Sequence, residues 1–349
     1  MFGPLGRYYT RLAMIKAWML KRCAPVESRP LDLVRIAKPR PGADELLIRV
    51  SACGICRTDL HIAEGELGVR RLPLVPGHQV VGRVEEKGES CQAFEKGQRV
   101  GVAWLNQTCG ACKYCWLGKE NLCERAEFTG WTRDGGYAEY VTAPADFVYP
   151  LPDGFSDIQA SPLLCAGIIG YRSLKLTNIA QWRGANLGIY GFGAAGHVSI
   201  QVARSRGASV YVATRDRKRH QTLAEELGAV WVGDTFAKPP VKLDAAIIFA
   251  PAGEIVPAAL AALDKGGTLV LGGIHMSPIP QFDYDRLYGE RAIRSVANNT
   301  REDGREFLAE AAEIPVKTTV HTFDFAEANE ALIALKTDAI RGAGVLVIE

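Results

Sequence analysis

The sequence carries almost no excess of charge: Lys plus Arg is 41 and Asp plus Glu is 39, leaving a formal net charge of +2 over 349 residues. Nucleic-acid binders usually show a basic excess or stripe, so a polyanionic partner is not expected. Long hydrophobic runs are missing as well. The longest, near Ile255–Leu263, is interrupted by Pro257 and falls well short of the ~18 apolar residues of a membrane span. Arg7, Arg11, Lys16, Lys21 and Arg22 break up the start, Met1–Cys23, which lacks an uninterrupted signal-peptide core. A cytoplasmic protein with no membrane partner is expected. Repeats and low-complexity segments are absent too. What remains is an ordinary globular mixture, 48% hydrophobic and 23% charged. At a prior of ~150 residues per domain, the length suggests two domains.

Cysteine is the unusual presence. There are nine, an odd number that rules out complete internal pairing, in a chain far larger than a disulfide-stapled miniprotein. Clustered cysteines in a reducing compartment are ligands or nucleophiles more often than bridges. Cys109, Cys112, Cys115 and Cys123 lie within fifteen residues, at spacings of two, two and seven. Four thiolates so close match a closed tetrahedral zinc site and differ from the standard ferredoxin spacings. With every position taken by protein, such a site predicts loop stabilisation and no chemistry.

The chain changes character part-way along. From Leu46 to Tyr149 it reads as short strands between Gly and Pro punctuation: Leu46–Ser51, Val80–Val84, Arg99–Trp104 and Tyr137–Thr142. After Pro162, strand candidates Leu187–Tyr190, Ser209–Ala213, Val230–Val232, Ala245–Phe249, Thr268–Leu271 and Arg294–Ala297 alternate with helical stretches Ala194–Ser205, Lys218–Leu227 and Glu254–Leu263. That alternation predicts an α/β, doubly wound parallel sheet of the Rossmann type. The tail breaks it: Asp303–Ala312 and Phe325–Leu335 look helical, Gly344–Ile348 looks like a strand, and the tail is expected to rejoin the first half. The expected division is 1–163 with 298–349 as a discontinuous β-rich domain, and 164–297 as the dinucleotide-binding one. Residues 1–13 read as an extension or a mis-assigned start.

Gly191, Gly193 and Gly196 form a G-x-G-x-x-G turn between the strand Leu187–Tyr190 and a helix. Glycines there permit a tight turn, close approach of a pyrophosphate and helix–strand packing. The next strand ends in Thr214-Arg215 where an acid would hold the adenosine ribose hydroxyls, and the nearest acid, Asp216, comes late. Thr214 can bond a phosphate, Arg215 offers a planar fork, and Lys218 and Arg219 add positive potential, so NADP(H) is favoured over NAD(H).

Several motifs occur together in order: Gly54-Ile55-Cys56-Arg57-Thr58-Asp59-Leu60-His61, Pro76-Gly77-His78, the four-cysteine lobe, Asp134-Gly135-Gly136-Tyr137-Ala138-Glu139-Tyr140, Leu164-Cys165-Ala166-Gly167 and the glycine turn. From about Met14 to Glu349 the chain resembles the zinc-dependent alcohol dehydrogenases of the medium-chain dehydrogenase/reductase superfamily, whose β-rich domain is GroES-like. The resemblance implies that Cys56, His78 and Cys165 bind a catalytic zinc with one position open for water or substrate oxygen, making two zinc ions per chain. It also implies that Thr58 bonds the substrate oxygen, His61 ends a proton relay, and Asp59 orients His78. Arg57 would pair with the cofactor pyrophosphate, and Trp104 would wall the substrate pocket. Implied partners are a small alcohol or aldehyde and further copies of the chain, as a tetramer or dimer.

Two positions depart from the family. Gln79 stands where Glu usually follows the ligand His, and Ala343 stands where relatives often carry a pyrophosphate-binding Arg, with Arg341 nearby. Cys23, Cys53 and Cys91 are left as free thiols. The rivals are a reductase of activated double bonds on the same fold, whose members generally lack both zinc sets, and a zinc-ribbon binding module, against which the charge balance argues.

Overall fold

The computed structural model describes residues 13–314 and 316–348. Residues 1–12, which carry most of the expected extension, lie outside them. Six parallel strands form one sheet in the spatial order Trp231–Gly233, Ser209–Ala213, Asn186–Tyr190, Leu243–Ile248, Leu263–Leu271, Ala292–Ser295. Their cores, including Leu187, Ile189, Val210, Val212, Ala245 and Ile247, are buried, as expected of a parallel sheet covered on both faces. The order reverses beside Asn186–Tyr190, so a crevice opens at its carboxyl end, where Gly191 begins the turn.

The second sheet is almost wholly antiparallel. It runs Val320–Asp324, Ala343–Val347, Glu45–Ile55, Gln79–Lys87, Arg99–Val102, Val148–Pro150, with Tyr140–Pro144 also on Glu45–Ile55. Only the pair made by the two tail strands is parallel. The tail thus returns to the first half of the chain: Gly344 pairs with Ile55 and Val345 with Gly54, immediately before Cys56.

Differences from the sequence-based expectations have local causes. The strand expected from Tyr137 begins at Tyr140, because the preceding backbone is spent on another loop. There Gly135, Gly136 and Tyr137 donate their N–H groups to Val75, Gly77 and Pro76. The helix expected over Lys218–Leu227 starts as a wide turn, Arg217–Gln221, capped by the Asp216 carboxylate on the Arg219 N–H, before Thr222–Glu226. Helix Ala166–Leu176 was not expected; its short apolar run has no period that separates helix from strand. Against it packs helix Arg301–Glu313, whose buried Phe307, Leu308 and Ala311 share a core with the dinucleotide strands. Reciprocal Thr300–Asp303 capping starts that helix, and Asp303 then pairs with Arg172 and Lys175 on its neighbour.

Candidate active site and metal centres

Strand Glu45–Ile55 delivers Cys56 to the N-cap of helix Arg57–Glu64. One turn in, the fully buried Asp59 turns both carboxylate oxygens inward. Oδ2 accepts from the Cys56 N–H at 2.9 Å, while Oδ1 accepts from His78 Nδ1 at 3.0 Å and the Gly77 N–H at 3.3 Å. A single carboxylate thereby sets the backbone of Cys56 and the ring of His78. With its proton committed to Asp59 at Nδ1, His78 presents Nε2 as a lone pair, and that atom is buried with no hydrogen-bond partner. Cys165, at the start of helix Ala166–Leu176, puts its Sγ 4.0 Å from Cys56 Sγ. The donor atoms of Cys56, His78 and Cys165 all lie within 4.8 Å of one another.

The three donor atoms converge on one point, and their field favours a cation. Burial opposes a second proton on His78, yet Asp59 and Cys56 push its pKa up to about 10, and a metal cation at Nε2 would answer the same negative surroundings in place of that proton. Hydrogen bonding from Cys165 holds the Cys56 thiol well below its ordinary value, and the same contact, with burial, pushes Cys165 well above. Two sulfurs and an imidazole with one position left over suit zinc.

The other four thiols form a second group, also within 4.8 Å of one another. Cys123 Sγ is 3.5 Å from Cys109 Sγ, and Cys112 Sγ is 3.6 Å from Cys115 Sγ. They fit a closed zinc site. All nine cysteines are free of disulfides.

The glycine turn fits a dinucleotide phosphate. Gly191 has φ +87°, and a Cβ there would sit 2.9 Å from the Ala250 nitrogen. At Gly196 a Cβ would come within 2.9 Å of the Gly191 carbonyl oxygen. At Gly193 it would meet nothing within 4 Å. Two glycines therefore serve the fold, and the middle one keeps open space at the N-terminus of helix Ala194–Ser205, where unpaired N–H groups favour an anion.

Residues 42–153 match the family described as "Alcohol dehydrogenase GroES-like domain", and residues 194–313 match "Zinc-binding dehydrogenase". The "Probable alcohol dehydrogenase AdhA" of Mycobacterium tuberculosis is 49% identical over 342 residues, covering 96% of this chain and 98% of that protein. The chain belongs to the zinc-dependent alcohol dehydrogenases of the medium-chain superfamily. Among solved structures, acetophenone reductase from Geotrichum candidum in complex with NAD superposes with a TM-score of 0.86 at 25% identity, covering 96% of this chain and 97% of its own. A protein from Sinorhizobium meliloti 1021 bound to NADP superposes with a TM-score of 0.84 at 26% identity, covering 96% of this chain and 99% of its own.

Around Cys56, His78 and Cys165, this alcohol dehydrogenase sets the anticipated Trp104, Thr58, His61 and Gln79 among residues that no motif pointed to. Trp104 meets the His78 ring edge-on at 5.1 Å and stacks on Phe128 at 5.0 Å and Trp131 at 5.7 Å, so three aromatic rings stand together beside His78. Trp131 is anchored by its Nε1–H on the Gly68 carbonyl. Thr58 Oγ1 lies 3.6 Å from Cys56 Sγ. His61, nearly buried, bonds Glu66 Oε2 through Nδ1 and faces the ring of His275, from the dinucleotide half, at 5.2 Å. Gln79 is buried, and its side chain lies against Gly54, where an added Cβ would stand 2.8 Å from Nε2.

At the cofactor end, Thr214 is buried at the strand terminus while Arg215 is exposed. Arg219 bonds Asp216 at 2.6 Å, Arg341 bonds Glu226, and Ala343 is buried in the tail strand. Arg57 opens the helix that follows Cys56. Aromatic stacking and contacts between the two halves are tertiary events, and nothing in the local sequence around Phe128, Trp131, Glu66 or His275 marks them.

Proposed function

We propose that this enzyme interconverts small or medium alcohols and their aldehydes or ketones, with two zinc ions per chain and a preference for NADP(H). The reading is carried by the convergence of Cys56, Cys165 and the unpartnered Nε2 of His78 on one point. When bound there, zinc supplies Lewis-acid polarisation of a substrate oxygen, and the nicotinamide supplies a hydride acceptor. Alcohol oxidation also releases one proton, which the chain's own residues must carry. Thr58 Oγ1, beside Cys56, bonds the substrate hydroxyl and takes its proton outward. His61 would receive it at Nε2, because Nδ1 is committed to Glu66. Asp59 positions His78, Arg57 and the turn Gly191, Gly193 and Gly196 hold the pyrophosphate, and Trp104 excludes water from the substrate side. Cys109, Cys112, Cys115 and Cys123 hold the structural ion.

Thr214, Arg215 and Arg219 support the NADP(H) preference, since none repels a 2′-phosphate. In the same reading 1–163 and 298–349 form the catalytic unit and 164–297 the dinucleotide unit, in a cytoplasmic homo-oligomer, tetramer or dimer. The zinc ligands, seven in all, argue against an alkene reductase.

Oxidation of NADPH and NADH against a panel of aliphatic and aromatic aldehydes, with zinc quantified, tests this. Turnover with about two zinc ions per chain and faster reaction with NADPH is expected. Indifference to NADPH would overturn the roles of Thr214 and Arg215; a zinc-loaded chain inert to the whole panel would overturn the activity.

Gln79 yields a second expectation. It lies next to His78 and is not one of the three converging donors, so Gln79→Glu, which introduces a buried carboxylate beside a proposed ligand, should change turnover more than zinc content. Identical steady-state kinetics in the two forms would remove any role for this departure.

A further inference from the structure

The cofactor strand end is approached by a carboxylate from the far end of the chain. Asp338 follows helix Ala328–Lys336, in the connection to the tail strand Ala343–Val347. Its Oδ2 is 3.1 Å from Arg215 Nη2, and both its oxygens lie 3.3 Å from His220 Nε2. Arg219 Nη1 donates to its backbone carbonyl. The backbone of Asp338 is left-handed, φ +58°, a conformation Asp and Asn adopt more readily than other non-glycine residues. The contact with His220, together with the charges of Arg215 and Arg57, holds its carboxyl below the usual range, so it is ionised at neutral pH.

We propose that Asp338 is a specificity-determining residue: it is an internal counter-anion to Arg215 that weakens recognition of a 2′-phosphate on the cofactor's adenosine ribose. The inference rests on the reading that Thr214 and Arg215 face that ribose. A 2′-phosphate bonded to Arg215 must share the guanidinium with a carboxylate already fixed by His220 and by the Arg219 contact to its backbone. The fork has donors enough for both, but the two anions repel across a few ångströms. An unphosphorylated ribose has no charge there and meets no such opposition. Arg215 is 70% exposed, so solvent screens the effect and keeps it modest. Asp216, bonded to Arg219, adds negative charge on the same side.

The test is binding of adenosine 2′,5′-bisphosphate against ADP, by calorimetry on the full chain, with no substrate and no turnover. Asp338→Asn keeps the left-handed turn and removes the charge. Its ratio of affinities for the 2′-phosphorylated ligand over ADP is expected to rise roughly 3- to 10-fold, with ADP itself nearly unchanged. Adding Arg215→Met to Asp338→Asn should erase the gain. An unchanged or lower ratio in Asp338→Asn overturns the proposal, and so does a parallel loss of both ligands, which would make Asp338 a purely structural link. The wild-type ratio is a separate number. If wild type favours ADP, the NADP(H) preference fails, while a rise in Asp338→Asn still supports the counter-anion role.

Discussion

Replacing Cys165 with serine is expected to lower kcat/KM for alcohol oxidation by at least about 10³-fold and to remove one zinc ion per chain while the other stays. The loss follows from charge and geometry together. Two thiolates and a neutral imidazole cancel the metal's charge; a serine hydroxyl stays protonated near neutral pH and supplies neither charge nor a strong donor. His78 and Asp59 are then left buried and fully desolvated with a partial ligand set. The fold should survive, because Cys165 is positioned by its backbone. It follows the turn Ser161–Leu164, whose side chains are all buried, and it begins helix Ala166–Leu176. Zinc analysis, kinetics and a thermal melt on the same preparation check all three parts. Full zinc content with near-native turnover would show that the chemistry lies elsewhere.

The two clusters of potential metal donors differ in how they could be read from sequence. Cys109, Cys112, Cys115 and Cys123 are close in the chain, so spacing alone carries the inference, and the folded loop needs only to close on itself. Cys56, His78 and Cys165 span more than a hundred residues and come from a strand end, a loop and a helix start; only the order of motifs linked them. Asp59 could be anticipated through its motif, yet its double use, on the Cys56 backbone and the His78 ring, is visible only in three dimensions. Phe128, Trp131, Glu66, His275 and Asp338 left no trace in periodicity or spacing, because each reaches its partner through packing between separate elements. The alternation of strands and helices after Pro162 was legible because parallel strands are short apolar runs bounded by turns. Boundaries failed where side chains intervene, as at Asp216, or where backbone donors serve another loop, as at Gly135–Tyr137.

Exchange of Cys112 for serine should produce the second large effect, on stability instead of chemistry. The four-cysteine lobe has no apolar core of its own: Trp116 is 78% exposed and Leu117 67%. On the proposed reading its order comes from a bound ion, and structural zinc sites in small peptides contribute ~10–16 kcal/mol of binding energy that is also folding energy. The lobe is also fastened to the seam between the halves. Glu120 Oε1 accepts from the Arg301 N–H at 3.0 Å, at the start of helix Arg301–Glu313, and Asn121 Nδ2 donates to the Ala297 carbonyl at 2.7 Å. Releasing both bonds costs about 2–3 kcal/mol, which for a domain of this size lowers Tm by roughly 4–12 °C. Cys112→Ser is therefore expected to lose one zinc ion, to melt earlier, and to be cleaved by proteases within 109–123 far faster than the native chain. Zinc analysis, calorimetry and limited proteolysis read these separately. A variant that keeps both ions and resists cleavage at the native rate would mean that the lobe is held by packing, leaving its four thiols without a structural task.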